Sequence, residues 1–152
     1  MPTRRELMTG GAALAAVSLL QAPQLKAENA DDQIEAAIQE RTHGAAITRG
    51  RVTLGIPQIA ENGLSVFTTV EADSPMTSQD HVKAIHLFSE KNPIAHITSF
   101  HLGPRAGRAK VSTNIRLAAS QRVTAIAEMS DGSFWSDEKS VVVTIAACID
   151  GG

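Results

Sequence analysis

Val123-Thr124-Ala125-Ile126-Ala127-Glu128-Met129-Ser130-Asp131-Gly132-Ser133-Phe134-Trp135 carries the pattern that decides the fold. Val123, Ala125, Ala127 and Met129 fall on alternate positions, the period of a half-buried strand. Asp131-Gly132 has the composition of a tight hairpin turn and leads into Phe134 and Trp135. A strand, a turn and a returning strand are predicted.

The same period extends upstream. Val52 and Leu54 alternate with polar neighbours, as do Val66, Thr68 and Val70, and then Val111, Thr113, Ile115 and Leu117. Turn residues separate these runs: Glu61-Asn62-Gly63, Asp73-Ser74-Pro75, Asn92-Pro93, and Gly103-Pro104 with Gly107. From Val82 to Phe88 both faces are apolar, so the pattern leaves the facing of that strand open. Downstream, a last strand is predicted from Ser140 to Thr144 or Ile145. Its β-branched run, Val141, Val142, Val143 and Ile145, suits a strand buried on both faces. About seven short strands with turns at this spacing make the chain all-β, an antiparallel sandwich.

A short helix precedes the strands. Asp31 and Asp32 stand before Ile34, Ala37, Ile38 and Arg41, whose spacing of three and four puts the apolar side chains on one face, and Gly44 terminates the run. At the other end, residues 146–152 leave no room for another element and are expected to form a mobile tail.

Residues 1–27 read as an export signal rather than as part of the fold. Arg4 and Arg5 give a positive start, Gly10 to Leu20 an apolar run, and Leu25-Lys26-Ala27 a cleavage point. Thr3-Arg4-Arg5-Glu6-Leu7-Met8 matches the twin-arginine pattern of a polar residue, two arginines, any residue and two apolar ones. An ordinary signal with adjacent arginines is the plainer alternative. The apolar run is too short to cross a bilayer core of about 30 Å, so no membrane anchor is expected. The organisation is therefore a signal (1–27), a sandwich domain (28–145) and a tail (146–152), with a periplasmic destination.

Composition narrows the function. Apolar residues make up 43% of the chain and charged residues 20%, which suits a globular domain better than a disordered or membrane-spanning one. Taking Arg4, Arg5, Lys26 and Glu6 out of the 14 basic and 16 acidic residues leaves a formal charge of −4. That balance lacks the basic footprint of a nucleic-acid binder.

Cys148 is the sole cysteine. An unpaired thiol in an exported chain signals an intermolecular bond or a free thiol with a function. The plain alternative, a buried cysteine acting as a small hydrophobe, suits a tail position poorly. Four extended residues beyond Thr144 reach roughly 14 Å, enough to enter a partner's pocket. No Lys, Arg or His lies near Cys148 in sequence, and Asp150 and the terminal carboxylate disfavour the thiolate. A free thiol with a pKa of about 8.5 is only slightly ionised at neutral pH, so activation has to come from a partner. Such a thiol suits insertion into a partner's pocket and not autonomous catalysis, so an enzyme is the weaker reading, and no cofactor is expected.

Other constellations are weaker. His81, His86, His96 and His101 alternate with apolar residues on predicted strands without CxxC or HExxH spacing, and read as ordinary strand histidines. Ile149-Asp150-Gly151-Gly152 supplies neither the His nor the Met that a blue-copper site places after its cysteine. No GxSxG or phosphate-binding glycine loop is present. Gly151-Gly152 invites comparison with ubiquitin-like carriers, which the export signal opposes. Trp135 reads equally as a partner-interface anchor and as a core or edge residue.

Several stretches resemble one family. They are Ile59-Ala60-Glu61-Asn62-Gly63, Asp73-Ser74-Pro75-Met76-Thr77, Val82 to Phe88, Val111-Ser112-Thr113 with Ile115-Arg116-Leu117, Ala127 to Phe134, and the closing strand into Cys148. Together they resemble the SoxY family, carrier subunits of the bacterial Sox thiosulfate-oxidising system. The resemblance implies an immunoglobulin-like sandwich paired with a SoxZ-like β subunit that is exported with it. It implies covalent sulfur attachment at Cys148. It also implies three client enzymes: a c-type haem protein that joins thiosulfate to the thiol, a hydrolase that releases sulfate, and a sulfur dehydrogenase. The family's tail is usually Gly-Gly-Cys-Gly-Gly, whereas Ala146-Ala147 and Ile149-Asp150 flank the cysteine here. Alanine permits fewer backbone conformations than glycine, and Ile149 is bulky beside the sulfur, which bears on entry into narrow partner channels. From a different class, the rival reading is a structural or adhesion-type exported sandwich whose cysteine only forms an intermolecular disulfide.

Overall fold

The computed structural model describes residues 29–146. Cys148, Arg4 and Arg5 lie outside the described residues.

The chain opens with helix α1, Ala30–Thr42. Asn29 is its N-cap, and Asp31 and Asp32 occupy the first turn, where carboxylates complement the helix dipole. His43, in the left-handed region, ends it, and the amides of His43 and Gly44 both return to the Gln39 carbonyl.

Nine strands follow: β1 Ile47–Arg49, β2 Val52–Gly55, β3 Ile59–Asn62, β4 Val66–Ala72, β5 Val82–Ser89, β6 His96–His101, β7 Lys110–Ile115, β8 Gln121–Met129 and β9 Phe134–Ile145. A 3-10 turn, Pro104–Ala106, lies between β6 and β7. The larger sheet runs β1-β9-β8-β5-β6, with β3 also on β9; the smaller runs β2-β4-β7. The two sheets form the sandwich expected from the alternating pattern. The long pairings are antiparallel, and the short strands β1 and β3 pair with β9 in parallel. The Asp131-Gly132 hairpin forms as predicted. Glu128 stands opposite Phe134, Gly132 has a φ of 84°, and the Ser133 amide donates to the Asp131 carboxylate.

The facing left open for Val82 to Phe88 is explained by a third layer. Val82, Ile85 and Leu87 meet the smaller sheet together with Val70, Leu117, Val123 and Ala125. Phe88 points the other way, into a second cluster with Ile34 of α1, Ala95, Ile126 and Phe134. β5 and β8 are thus covered on both sides, one by the smaller sheet and one by the helix.

The last strand differs from its expected burial in one respect. β9 is a single strand from Phe134 to Ile145, and of its β-branched run only Val141 is fully buried. Val142 is exposed on the outer face of β9, where nothing among the described residues covers it, and Ile145, on the same face as Val141, is exposed at the strand's end. The turn expected at Glu61-Asn62-Gly63 also shifts: Glu61 and Asn62 belong to β3, and the chain turns at Gly63-Leu64.

Candidate functional site

The described chain ends where the cysteine-bearing segment begins, so the site is defined by how the end of β9 is held. It is clamped on both edges. On one side, β3 runs parallel to it with Ile59 beside Val142, Ala60 beside Val143 and Asn62 beside Ile145. There the Val142 amide donates to the Gln58 carbonyl, the Gly63 amide to the Ile145 carbonyl at 2.8 Å, and the Thr144 hydroxyl to the Ala60 carbonyl. On the other side, β8 has ended its ladder at Gln121, and Ser120 takes over: its Oγ accepts from the Val143 amide at 2.9 Å. The last residue of the strand is therefore fixed to the sandwich, three residues before Cys148.

Several apolar side chains near this root are exposed among polar neighbours. Ile59 and Ile145 are each 66% exposed, Val142 is 55% and Leu64 is 47%. Sequence reading missed these residues as surface features, since a β-branched run looks the same whether its outer face is covered or bare. The one signal present was the resemblance itself, which included Ile59 and the closing strand.

Among the histidines, two come together. His86 on β5 is only 4% exposed, and its Nδ1 lies 2.7 Å from Ser99 Oγ across the β5–β6 pair. His96 Nε2 lies 2.8 Å from the same hydroxyl, and the imidazole centroids are 6.3 Å apart. One hydroxyl proton serves one ring only, so Ser99 donates to one histidine and accepts from the other. Burial pushes His86 down to about 4, helped by His96, Arg41 and His101 and opposed by Glu128. His96 is also lowered, by burial first and then by Arg41, whose guanidinium lies 3.5 Å from its Nδ1. Both are packing histidines beneath α1, beside Phe88. His81 and His101 stand apart: His81 Nδ1 faces the Thr77 carbonyl, and His101 sits opposite Ala84. No three His, Cys, Asp or Glu side chains among the described residues converge as metal ligands.

Trp135 takes the core-edge role. Its ring packs against the sandwich core, Gly50 backs it, the Arg51 guanidinium covers it at 5.4 Å, and Nε1 donates to Ser133 Oγ. No helix among the described residues is long and apolar enough to cross a membrane.

Comparisons with known proteins agree with this architecture. The family profile described as sulfur oxidation protein SoxY matches residues 36–148, a span that ends on the cysteine. Among solved structures, the sulfur carrier protein SoxY from Chlorobium limicola f thiosulfatophilum is 25% identical with a TM-score of 0.64, and the match covers 76% of this chain and 99% of that one. A superoxide reductase (neelaredoxin) from Ignicoccus hospitalis is 16% identical with a TM-score of 0.55, over 62% of this chain and 80% of its own. The superoxide reductase from Nanoarchaeum equitans is also 16% identical, with a TM-score of 0.53, over 63% of this chain and 100% of its own. The two reductases share the fold alone. No curated protein sequence matches this chain.

Proposed function

This chain belongs to the SoxY family of sulfur oxidation proteins, whose profile spans residues 36–148, and from that membership we propose that it is a periplasmic sulfur carrier that holds its cargo on Cys148. The observation that carries the reading is that the family match runs through the whole sandwich and ends on the chain's one cysteine. The likeness to a solved sulfur carrier over nearly that protein's full length supports it.

In this reading the sandwich is a handle and the chemistry belongs to clients. The Cys148 thiolate is joined to the outer sulfur of thiosulfate with loss of two electrons, which a c-type haem protein accepts, leaving a thiosulfonate on the cysteine. A hydrolase then adds water at the terminal sulfonate, releasing sulfate and leaving a persulfide. A sulfur dehydrogenase accepts six electrons from the remaining sulfane, three waters supplying the oxygens of a new terminal sulfonate, and hydrolysis of that sulfonate releases a second sulfate and returns the thiol. A SoxZ-like β subunit stays bound to the sandwich throughout. Residues 1–27 direct export by the twin-arginine route through Arg4 and Arg5 and are then removed, a route suited to a cargo that crosses already folded with its partner.

Replacing Cys148 with Ser tests the reading. The carrier loses thiosulfate-dependent respiration completely while its fold and its β subunit survive. Unchanged respiration, or a defect confined to loss of a symmetric disulfide, would point to the structural sandwich instead.

A further inference from the structure

The side of the sandwich away from β9 is open. β6 ends the larger sheet and β7 the smaller, and no strand among the described residues pairs with the outer edge of either. Between them runs a cleft of about 550 Å³. Ile115 and the half-buried Ile97 and Phe100 line it, with Ile94, 75% exposed, on its lip. Arg116 lines it too, is exposed, and forms no ion pair among the described residues. No acidic side chain lines the cleft. Apolar walls with a guanidinium on the rim suit a segment that offers a large apolar side chain next to a carboxylate.

The chain's own C-terminal segment has that chemistry, since Ile149 is followed directly by Asp150. It also starts close by. The Ile145 carbonyl accepts from the Gly63 amide, and the Gly63 carbonyl accepts from the Leu117 amide. Two such steps and one residue put Arg116 no more than about 15 Å from Ile145. The Asn92 side chain donates to the Arg116 carbonyl at 2.7 Å, which brings the Pro93-Ile94 turn to the same rim. Across the larger sheet, β6 is three places from β9, about 14 Å. Extended chain from Ile145 covers about 14 Å to Ile149 and about 17 Å to Asp150. Both residues therefore reach the rim.

We propose that the C-terminal segment folds back onto this cleft when no partner holds it, seating Ile149 against Ile94 and pairing Asp150 with Arg116. The berth goes beyond the carrier reading and holds whether or not Cys148 carries sulfur. It places the only thiol at the mouth of the cleft, where a second chain's thiol approaches it less easily. One apolar side chain and one exposed ion pair make a weak contact, so a partner that binds the segment displaces it readily.

Amide NMR tests the berth on the isotope-labelled, exported form of the chain, with any subunit that co-purifies and without thiosulfate. Ile149→Gly and Asp150→Gly, made together, lie beyond the last strand and leave the sandwich intact. They are expected to shift the amides of Ile94, Ile97 and Arg116 while those of β2 stay in place. Arg116→Glu is expected to move the amides of Ile149 and Asp150 to the positions of an unstructured peptide, and adding Asp150→Lys to bring them back. Raising the salt concentration is expected to weaken the contact, because an exposed pair is screened. Cleft amides that ignore the tail substitutions overturn the proposal, as does a reversed charge pair that restores nothing. Cleft amides that move only with chain concentration assign the cleft to a second copy and overturn it too. No sulfur chemistry enters these measurements, so failure of the carrier reading would leave their outcome unchanged.

Discussion

The Gly63 amide donates to the Ile145 carbonyl at 2.8 Å, tying the last residue of the final strand to the turn after β3. This bond sets the origin of the cysteine-bearing segment. Without it, the chain beyond Thr144 would swing from a frayed strand end; with it, the reach to Cys148 is counted from a fixed point on the sandwich.

The clamp on the other edge makes a separable prediction. Ser120 Oγ accepts from the Val143 amide at 2.9 Å, in place of a β8 backbone group. Ser120→Ala is expected to cost about 1 kcal/mol and to speed hydrogen exchange at Val143 while leaving the amides of β5 protected. Unchanged exchange at Val143 would mean the strand end is held by β3 alone.

Adjacent valines on β9 should respond in opposite ways. Val141 is buried in the inter-sheet core, whereas Val142 is on the outer face. Val141→Ala is expected to cost about 2 kcal/mol in lost burial plus cavity, and Val142→Ala less than about 0.5 kcal/mol. Chemical denaturation of the two variants measures this, and equal costs would contradict the one-sided burial of the strand.

Beneath the helix, Ser99 serves both His86 and His96. His86 Nε2 already lacks a partner among the described groups. Ser99→Ala takes away the partner of Nδ1 as well, leaving the ring buried without a hydrogen bond, and is expected to cost about 1–3 kcal/mol. Thermal unfolding at neutral pH checks it.

Acid should destabilise the same layer. His86 in the folded chain titrates at about 4, below its ordinary value of 6.5, so the folded state prefers the neutral ring. Its contribution is present above about pH 6.5 and is lost as pH falls from there toward 4, because the unfolded chain binds a proton that the folded chain refuses. The loss is on the order of 3 kcal/mol. The facing charges are Glu128, which opposes the shift, and His96, Arg41 and His101, which add to it. His86→Leu is expected to flatten the stability curve over this interval; an unaltered acid slope would assign it to other groups.

Much of this architecture was legible in the chain. The alternation through Val123 to Met129 and the Asp131-Gly132 turn specify a hairpin locally, and both form as read. Ile34, Ala37 and Ile38 specify one helical face, and that face packs on Phe88, Ile126 and Phe134. What escaped reading depends on which element lies next to which. Period-two patterns say that a side chain points up or down, but not whether anything covers it, so Val82 to Phe88 and Val141 to Ile145 look alike although only the first is covered on both sides. β1 and β3 are three and four residues long and pair in parallel with a strand some 80 residues away in sequence, with no local signal for that partner. The Ser99 bridge likewise arises from the β5–β6 register, which brings together residues 13 apart.

The most direct measurement is intact-mass spectrometry, without reductant, of the protein isolated from cells growing on thiosulfate, followed by mapping of the C-terminal peptide. The carrier account expects sulfur-containing adducts confined to Cys148 on a chain that co-purifies with a small β subunit. An unmodified thiol under those conditions, or a symmetric disulfide as the sole modification, would contradict it.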